Sequence, residues 1–424
     1  MKVEQALRLL PSLEAVGPLR GLVLASSAPD ESSRWGSAAP YLTVGKWAIS
    51  VDLLRRSIPQ FLAKITDHIG HLYQFYASAL EADDAGDQPQ VVVHLLAAAR
   101  MEERVGRYAA ALAWGEVALG VAERLNTRAT EVETLTFLGE VARAQGQFTA
   151  AARHYQRALA LAEAEFDPAG VIVASEGQGL VALAEDQLQG AAVWLGRAEQ
   201  LASGVPHEAA RARVLRSLAE VARRQGDLHT ASERLRRSRE IIERLVLGPE
   251  MARTLDAQGR LELALGTTAG ALASFREALA WVRRGGRDPR MECTIRIHLA
   301  ELFLEMDRVA EGEEELRTAE RLAISNDLGR RLIQIYTRLG TLRGMQGAET
   351  GFVFFEQALA LCRLLDSAPA FEGRVYHQYG LFKAALGRME EARAWLERAR
   401  ELFTTAGGGA FLDEIDAELD RIPA

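Results

Sequence analysis

Leu138–Ala164, LGEVARAQGQFTAAARHYQRALALAEA, decides the fold. It reads as two amphipathic helices joined at Gly146, because small and apolar side chains recur at helical spacing on both sides of that glycine. Gly139, Ala151 and Ala158 are small enough to let the two helices approach closely. Phe148 and Tyr155 supply the bulk to fill the gap where they splay. Such a hairpin cannot bury its own apolar face, so its partners must come from elsewhere in the chain.

They come from copies of itself. The small residue near the end of the second helix recurs as Ala118, Ala158, Ala198, Ser238, Ala278, Ala319, Ala358 and Ala399, 39 to 41 residues apart. The turn residue recurs as Gly106, Gly146, Asp186, Gly226, Gly266, Asp307, Gly347 and Gly387. Five residues past each turn stands Ala111, Ala151, Ala191, Ala231, Ala271, Gly312 or Ala392; in the seventh unit Gly351 comes after four, which predicts a turn one residue shorter. A small residue also recurs inside each first helix, at Ala99, Gly139, Gly179, Ala219, Gly259, Ala300, Gly340 and Gly380.

Abundant Ala and Leu, only 12 prolines and no alternating Val/Thr/Ile segments predict an all-α chain without β structure. Residues 1–90 are an irregular helical region of degenerate repeats, with short helices expected at Val3–Leu10 and Pro18–Ser26 and a long one at Pro59–Ala82. Residues 91–404 are the array, and 405–424 a C-terminal capping helix placed after Gly407-Gly408-Gly409. Phe411, Leu412, Ile415 and Leu419 form one face of that helix and acidic residues the other.

The formal net charge of −8, from 50 basic and 58 acidic residues, argues against direct nucleic-acid binding. The basic runs Arg211-x-Arg213, Arg223-Arg224 and Arg234-x-Arg236-Arg237 are interleaved with Glu208, Glu220, Glu233, Glu240 and Glu243, as in a solvated face of i,i+4 pairs. Two cysteines, Cys293 and Cys362, fit neither a disulfide framework nor a four-ligand zinc site and are expected to be buried apolar residues. No apolar run reaches the ~18–20 residues of a membrane span. With no signal peptide legible at Met1–Pro18, a cytoplasmic protein is expected. His68 and His71 lack further ligands for a metal, Gly177-x-Gly179 lacks the third glycine and preceding strand of a dinucleotide loop, and no acid–base or nucleophile set is present. The chain is therefore expected to have no catalytic residue, no metal and no cofactor.

The repeated Gly/Ala–Gly–Ala–Ala scheme resembles the tetratricopeptide repeat, most clearly at Gly139, Gly146, Phe148, Ala151, Tyr155 and Ala158, and again at Gly259, Gly266, Ala271, Phe275 and Ala278. The period of 40 rather than ~34 predicts helices about a turn longer than usual. Forty-residue versions are similar to the sensor arrays of bacterial transcription activators, to pheromone-peptide receptors and to adaptor arrays. The resemblance implies a right-handed superhelix of about eight hairpins whose first helices line a concave groove. It implies an interaction scaffold for a protein or peptide segment or, alternatively, a ligand-sensing regulator. On that layout the candidate polar contacts are Arg100, Arg143, Arg216, Arg223 and Arg260, with Glu140 and Glu220 beside them. The candidate apolar contacts are Leu180, Leu183, Leu263 and Leu304. The groove charges could equally pair with one another between neighbouring helices.

Overall fold

The structure, a computed structural model, describes residues 41–44, 47–50, 75, 78–79, 81–82, 85–204, 207–284, 288–326, 328–365, 369–406 and 409–422. The expected helices at Val3–Leu10, Pro18–Ser26 and most of Pro59–Ala82, with His68 and His71, lie outside them.

From Gln88 onward the helices come in pairs. Unit 1 is α1 (Gln88–Val105) and α2 (Tyr108–Leu125), unit 2 is α3 (Arg128–Gln145) and α4 (Phe148–Ala164), and unit 3 is α5 (Pro168–Ala184) and α6 (Leu188–Gly204). Unit 4 is α7 (Glu208–Arg224) and α8 (Leu228–Leu245), and unit 5 is α9 (Gly248–Ala264) and α10 (Thr268–Arg284). Unit 6 is α11 (Pro289–Glu305) and α12 (Val309–Ser325), unit 7 is α13 (Gly329–Met345) and α14 (Phe352–Leu364), and unit 8 is α15 (Pro369–Ala385) and α16 (Met389–Ala406). A final helix, α17 (Gly409–Arg421), lies against α16. The architecture is an all-α solenoid of consecutive hairpins.

One correction is needed. Tyr41–Val44 and Trp47–Ser50 pair as an antiparallel β-hairpin, so the expectation of no β structure fails there. YLTV and WAIS are rich in aromatic and β-branched residues and flank the two-residue link Gly45-Lys46, which favours a hairpin.

The two-residue turns follow from backbone sterics. All eight turn residues have positive φ, from 57° at Asp307 to 87° at Gly106. Glycine enters this region freely and Asp more readily than most side chains. At Gly146 the reversal is closed by Gly146 N–H donating to Arg143 C=O (3.0 Å) and Gln147 N–H to Ala142 C=O (2.9 Å). In unit 7 the turn is not shortened as expected, since Ala348 N–H donates to Arg343 C=O (2.9 Å) as in the other units; instead a 3₁₀ turn, Glu349–Gly351, precedes α14 and leaves that helix 13 residues long.

Close packing explains the repeated small residues. A Cβ on Gly139 would stand 2.8 Å from the Tyr155 ring, on Gly259 2.6 Å from Phe275 and on Gly340 2.5 Å from Phe355. These aromatics lie at the same hairpin position and are fully buried. Cys293 and Cys362 are free and buried in the core of the last three units, and burial pushes the Cys293 thiol up to about 12. The superhelix turns far enough for its first hairpin to meet the sixth and seventh. Arg290 of α11 makes a two-pronged contact to Glu103 of α1 (3.0 and 3.2 Å), and Arg330 of α13 donates to the Tyr108 hydroxyl (3.2 Å).

Candidate functional site

The inner-face charges of units 3 to 6 form a ladder between successive first helices. Arg213 reaches Glu176 (3.3 Å), Arg216 reaches Glu250 (2.7 Å), and Arg253 bridges Glu250 (2.6 Å) and Asp288 (3.3 Å). A second rail centres on Glu220, which accepts from Arg223 (2.8 and 3.0 Å), Arg224 (3.0 Å) and Arg260 (3.2 Å). Arg260 also lies 3.6 Å from Asp256, whose carboxylate accepts from His298 Nδ1 at 2.6 Å. Burial works to raise the Glu220 pKa, but the hydrogen bonds from Arg223 and Arg224 and the charge of Arg260 hold it down at about 2. Glu250 is likewise held low against its burial, mainly by Arg216. Glu176 is raised, because burial outweighs Arg213 and Arg216.

Arg216, Glu220, Arg223 and Arg260 are therefore all engaged within the chain. Arg100 pairs with Glu133 (2.8 Å), both well exposed. Glu140 is solvent-accessible, yet surrounding protein, with Glu103 and Glu176 adding repulsion, raises its pKa against Arg143 and Arg100. Leu183 is 7% exposed and belongs to the core. Leu263 and Leu304 pack half-buried against their own units, and Leu180 is half-buried. In the basic runs Arg237 also pairs with Glu233 (2.6 Å) and Arg236 with Glu240, while Arg234 donates to the Leu218 carbonyl (2.9 Å).

Farther along the same surface the arrangement changes. A cavity of about 390 Å³ opens between the inner faces of α11, α13 and α15, and α17 forms its end wall through Phe411 and Glu414. Thr294, His298 and Glu301 come from α11, Arg331, Gln334 and Arg338 from α13, and Phe371, Arg374 and Gln378 from α15. Arg338 is answered by Glu301 at 2.6 Å, and buried His377 donates to Glu418 at 2.6 Å. His377, Glu414 and Glu418 hold their potential ligand atoms within 4.8 Å of one another, a grouping that could take a cation. Spacing along the chain could not reveal it, because α15 and α17 are separated by α16. Arg331, Gln334 and Arg374 were missed for another reason. Anchoring each inner face on the mid-helix small residue counts only its later turns, whereas a 17-residue helix spans ~26 Å and presents one turn more.

Tetratricopeptide repeat models match residues 132–169, 209–283 and 373–402. No curated protein matches the sequence. Among solved structures, a Rap protein complexed with competence and sporulation factor aligns with a TM-score of 0.57 at 15% identity, covering 84% of this chain and 97% of that one. The Rap conjugation gene regulator of plasmid pLS20, in complex with the Phr* peptide, aligns with a TM-score of 0.51 at 12% identity, covering 79% and 94%. These similarities concern the fold. With eight phased hairpins and family matches in three places, the chain carries tetratricopeptide repeats. Repeats of this kind make interaction scaffolds, and no described helix is long and apolar enough to cross a membrane.

Proposed function

We propose that the chain is a non-enzymatic, cytoplasmic scaffold that captures a peptide segment of a partner on its concave surface. Residues 91–404 serve as the binding array and 405–424 as its cap. The observation that carries this reading is the cavity closed by α11, α13, α15 and α17, a concave, mixed polar and apolar site at the lower end of the size range of ligand pockets. The fold likeness to two Rap proteins solved in complex with a factor or a peptide supports it by analogy. In this reading Leu180, Arg100, Glu140 and Arg143 extend the surface toward the first units. Arg216, Glu220, Arg223 and Arg260 shape it from within their ion pairs, and Leu183, Leu263 and Leu304 do so from within the packing.

The experiment is affinity selection from a random octapeptide library, followed by hydrogen-exchange mapping of the selected peptides. Protection of α11, α13 and α15 is expected; selection of nothing, or protection confined to α12, α14 and α16, removes the reading.

A second reading is that capture is sensed, making the protein a regulator. Arg330 favours it. This residue touches both the Tyr108 ring of unit 1 and the Phe371 ring of the cavity wall (5.7 and 4.4 Å), so a ligand there would press on the contact between the array's two ends. Selected peptides should then alter exchange in α1 and α2, and unchanged exchange there counts against sensing.

A further inference from the structure

Most polar side chains around the cavity are answered: Arg338 by Glu301, His298 by Asp256 and His377 by Glu418. Two guanidiniums are not. Arg331 donates to the neutral Gln334 side chain at 2.8 Å, and Arg374 lies over the Phe411 ring at 4.8 Å. Among the described residues neither has a carboxylate within ion-pair distance. Arg374 faces Arg330, Arg224 and Arg338, and Arg331 faces Arg330 and Arg290; burial first and this repulsion second push both pKa values down. The wall's two carboxylates do not relieve them, since Glu301 is taken by Arg338 and Glu414 sits with His377 and Glu418.

This contrasts with the ladder, where each arginine meets an acid. Arginines are enclosed at a cost unless paired, and the planar guanidinium fork is matched to carboxylate and phosphate oxygens. Gln334 and Gln378 line the same cavity and bring amide N–H donors, while Phe371, Val375 and Phe411 supply an apolar flank. The volume suits one charged end of a ligand rather than a long segment.

We propose that the cavity lined by Arg331 and Arg374 binds an anionic oxygen group, a carboxylate or a phosphate, and that this group is carried by the captured peptide. The proposal rests on the groove-capture reading for the source of the anion, but not for the anion site itself.

The test uses the full chain, as wild type, Arg331→Gln, Arg374→Gln and Arg374→Lys, with two probes. One is inorganic phosphate, followed by calorimetry. The other is the octapeptide library free at both ends, with each selected peptide remade with its acidic side chains and terminus as amides. The expected results are phosphate binding that each Gln variant weakens at least ten-fold, with the Lys variant between, since each removes a charged hydrogen-bond donor. Selected peptides should lose about ten-fold on amidation in wild type and little in Arg374→Gln. The Gln variants should melt no lower than wild type, because each removes a repelled charge.

Peptides that bind regardless of amidation and of the variants overturn the peptide-borne anion while groove capture stands. Phosphate binding that depends on Arg374, with no peptide selected, leaves the anion site for a free small anion and removes groove capture. Phosphate binding that is absent or unchanged in the variants overturns the anion site. Gln variants that unfold show the arginines to be structural and overturn it as well.

Discussion

Units 3 to 5 and units 6 to 8 share one hairpin but handle inner-face charge differently. In the first group Arg213, Arg216, Arg223, Arg253 and Arg260 each meet a carboxylate, often across to the next unit. In the second group Arg331 and Arg374 meet none among the described residues, and a cavity opens beside them. Because the small-residue contacts that build the hairpin lie between its helices, the inner face can vary without disturbing the stack. One stretch can use its charges to tie neighbouring units together while another leaves them for a ligand.

The strongest way to break this comparison is charge reversal of Arg216, Arg223 and Arg260 together. From sequence alone it should abolish capture and leave the melting temperature near wild type. From the structure it sets new carboxylates against Glu220 and Glu250, which are 13% and 17% exposed, and stability should fall by about 3 kcal/mol or more in urea unfolding. An unchanged urea midpoint would mean the ladder is ornamental.

Acid titration sharpens the point. Glu220 has a folded pKa of about 2, below its ordinary 4.5, so its contribution is complete above 4.5 and fades as pH falls toward 2. The stability difference between wild type and Glu220→Gln should shrink by about 2 kcal/mol between pH 5 and pH 3. Glu140 and Glu176, whose pKa values are raised above 4.5, act in the opposite sense and recover stability as pH falls through those raised values toward 4.5, in both proteins alike. A difference flat with pH would refute the assignment to Glu220.

The smallest effect tests the shared scaffold. Gly139→Ala in the second unit and Gly340→Ala in the seventh each press a methyl group on an aromatic ring, and each should cost about 1–3 kcal/mol by thermal or urea unfolding. Markedly unequal losses would show that the two regions differ in packing as well as in charge.

The architecture was legible because it rests on repetition of local sterics. Gly146 and its seven counterparts mark αL turns, and Gly139, Gly259 and Gly340 mark the rings that press on them. The β-hairpin at Tyr41–Ser50 was overlooked because it is short and occurs once. The ladder could be anticipated only as an even alternative to ligand contacts, since periodicity gives the face a side chain occupies but not which neighbour it reaches. The cavity depends on α11, α13, α15 and α17 converging, and on Arg331 and Arg374 having no carboxylate within ion-pair distance among the described residues, neither of which spacing along one helix can convey.

The contact of the first hairpin with the sixth and seventh has a consequence for how the molecule folds. In an open stack stability is a sum over adjacent units, and each end frays by itself. Here Glu103–Arg290 and Tyr108–Arg330 join residues 187 and 222 positions apart. Loosening unit 1 therefore removes support from α11 and α13, and the two regions should open as one cooperative block in hydrogen exchange. Contacts so distant in sequence also form late, which makes closing the superhelix a slow step after fast assembly of the individual hairpins.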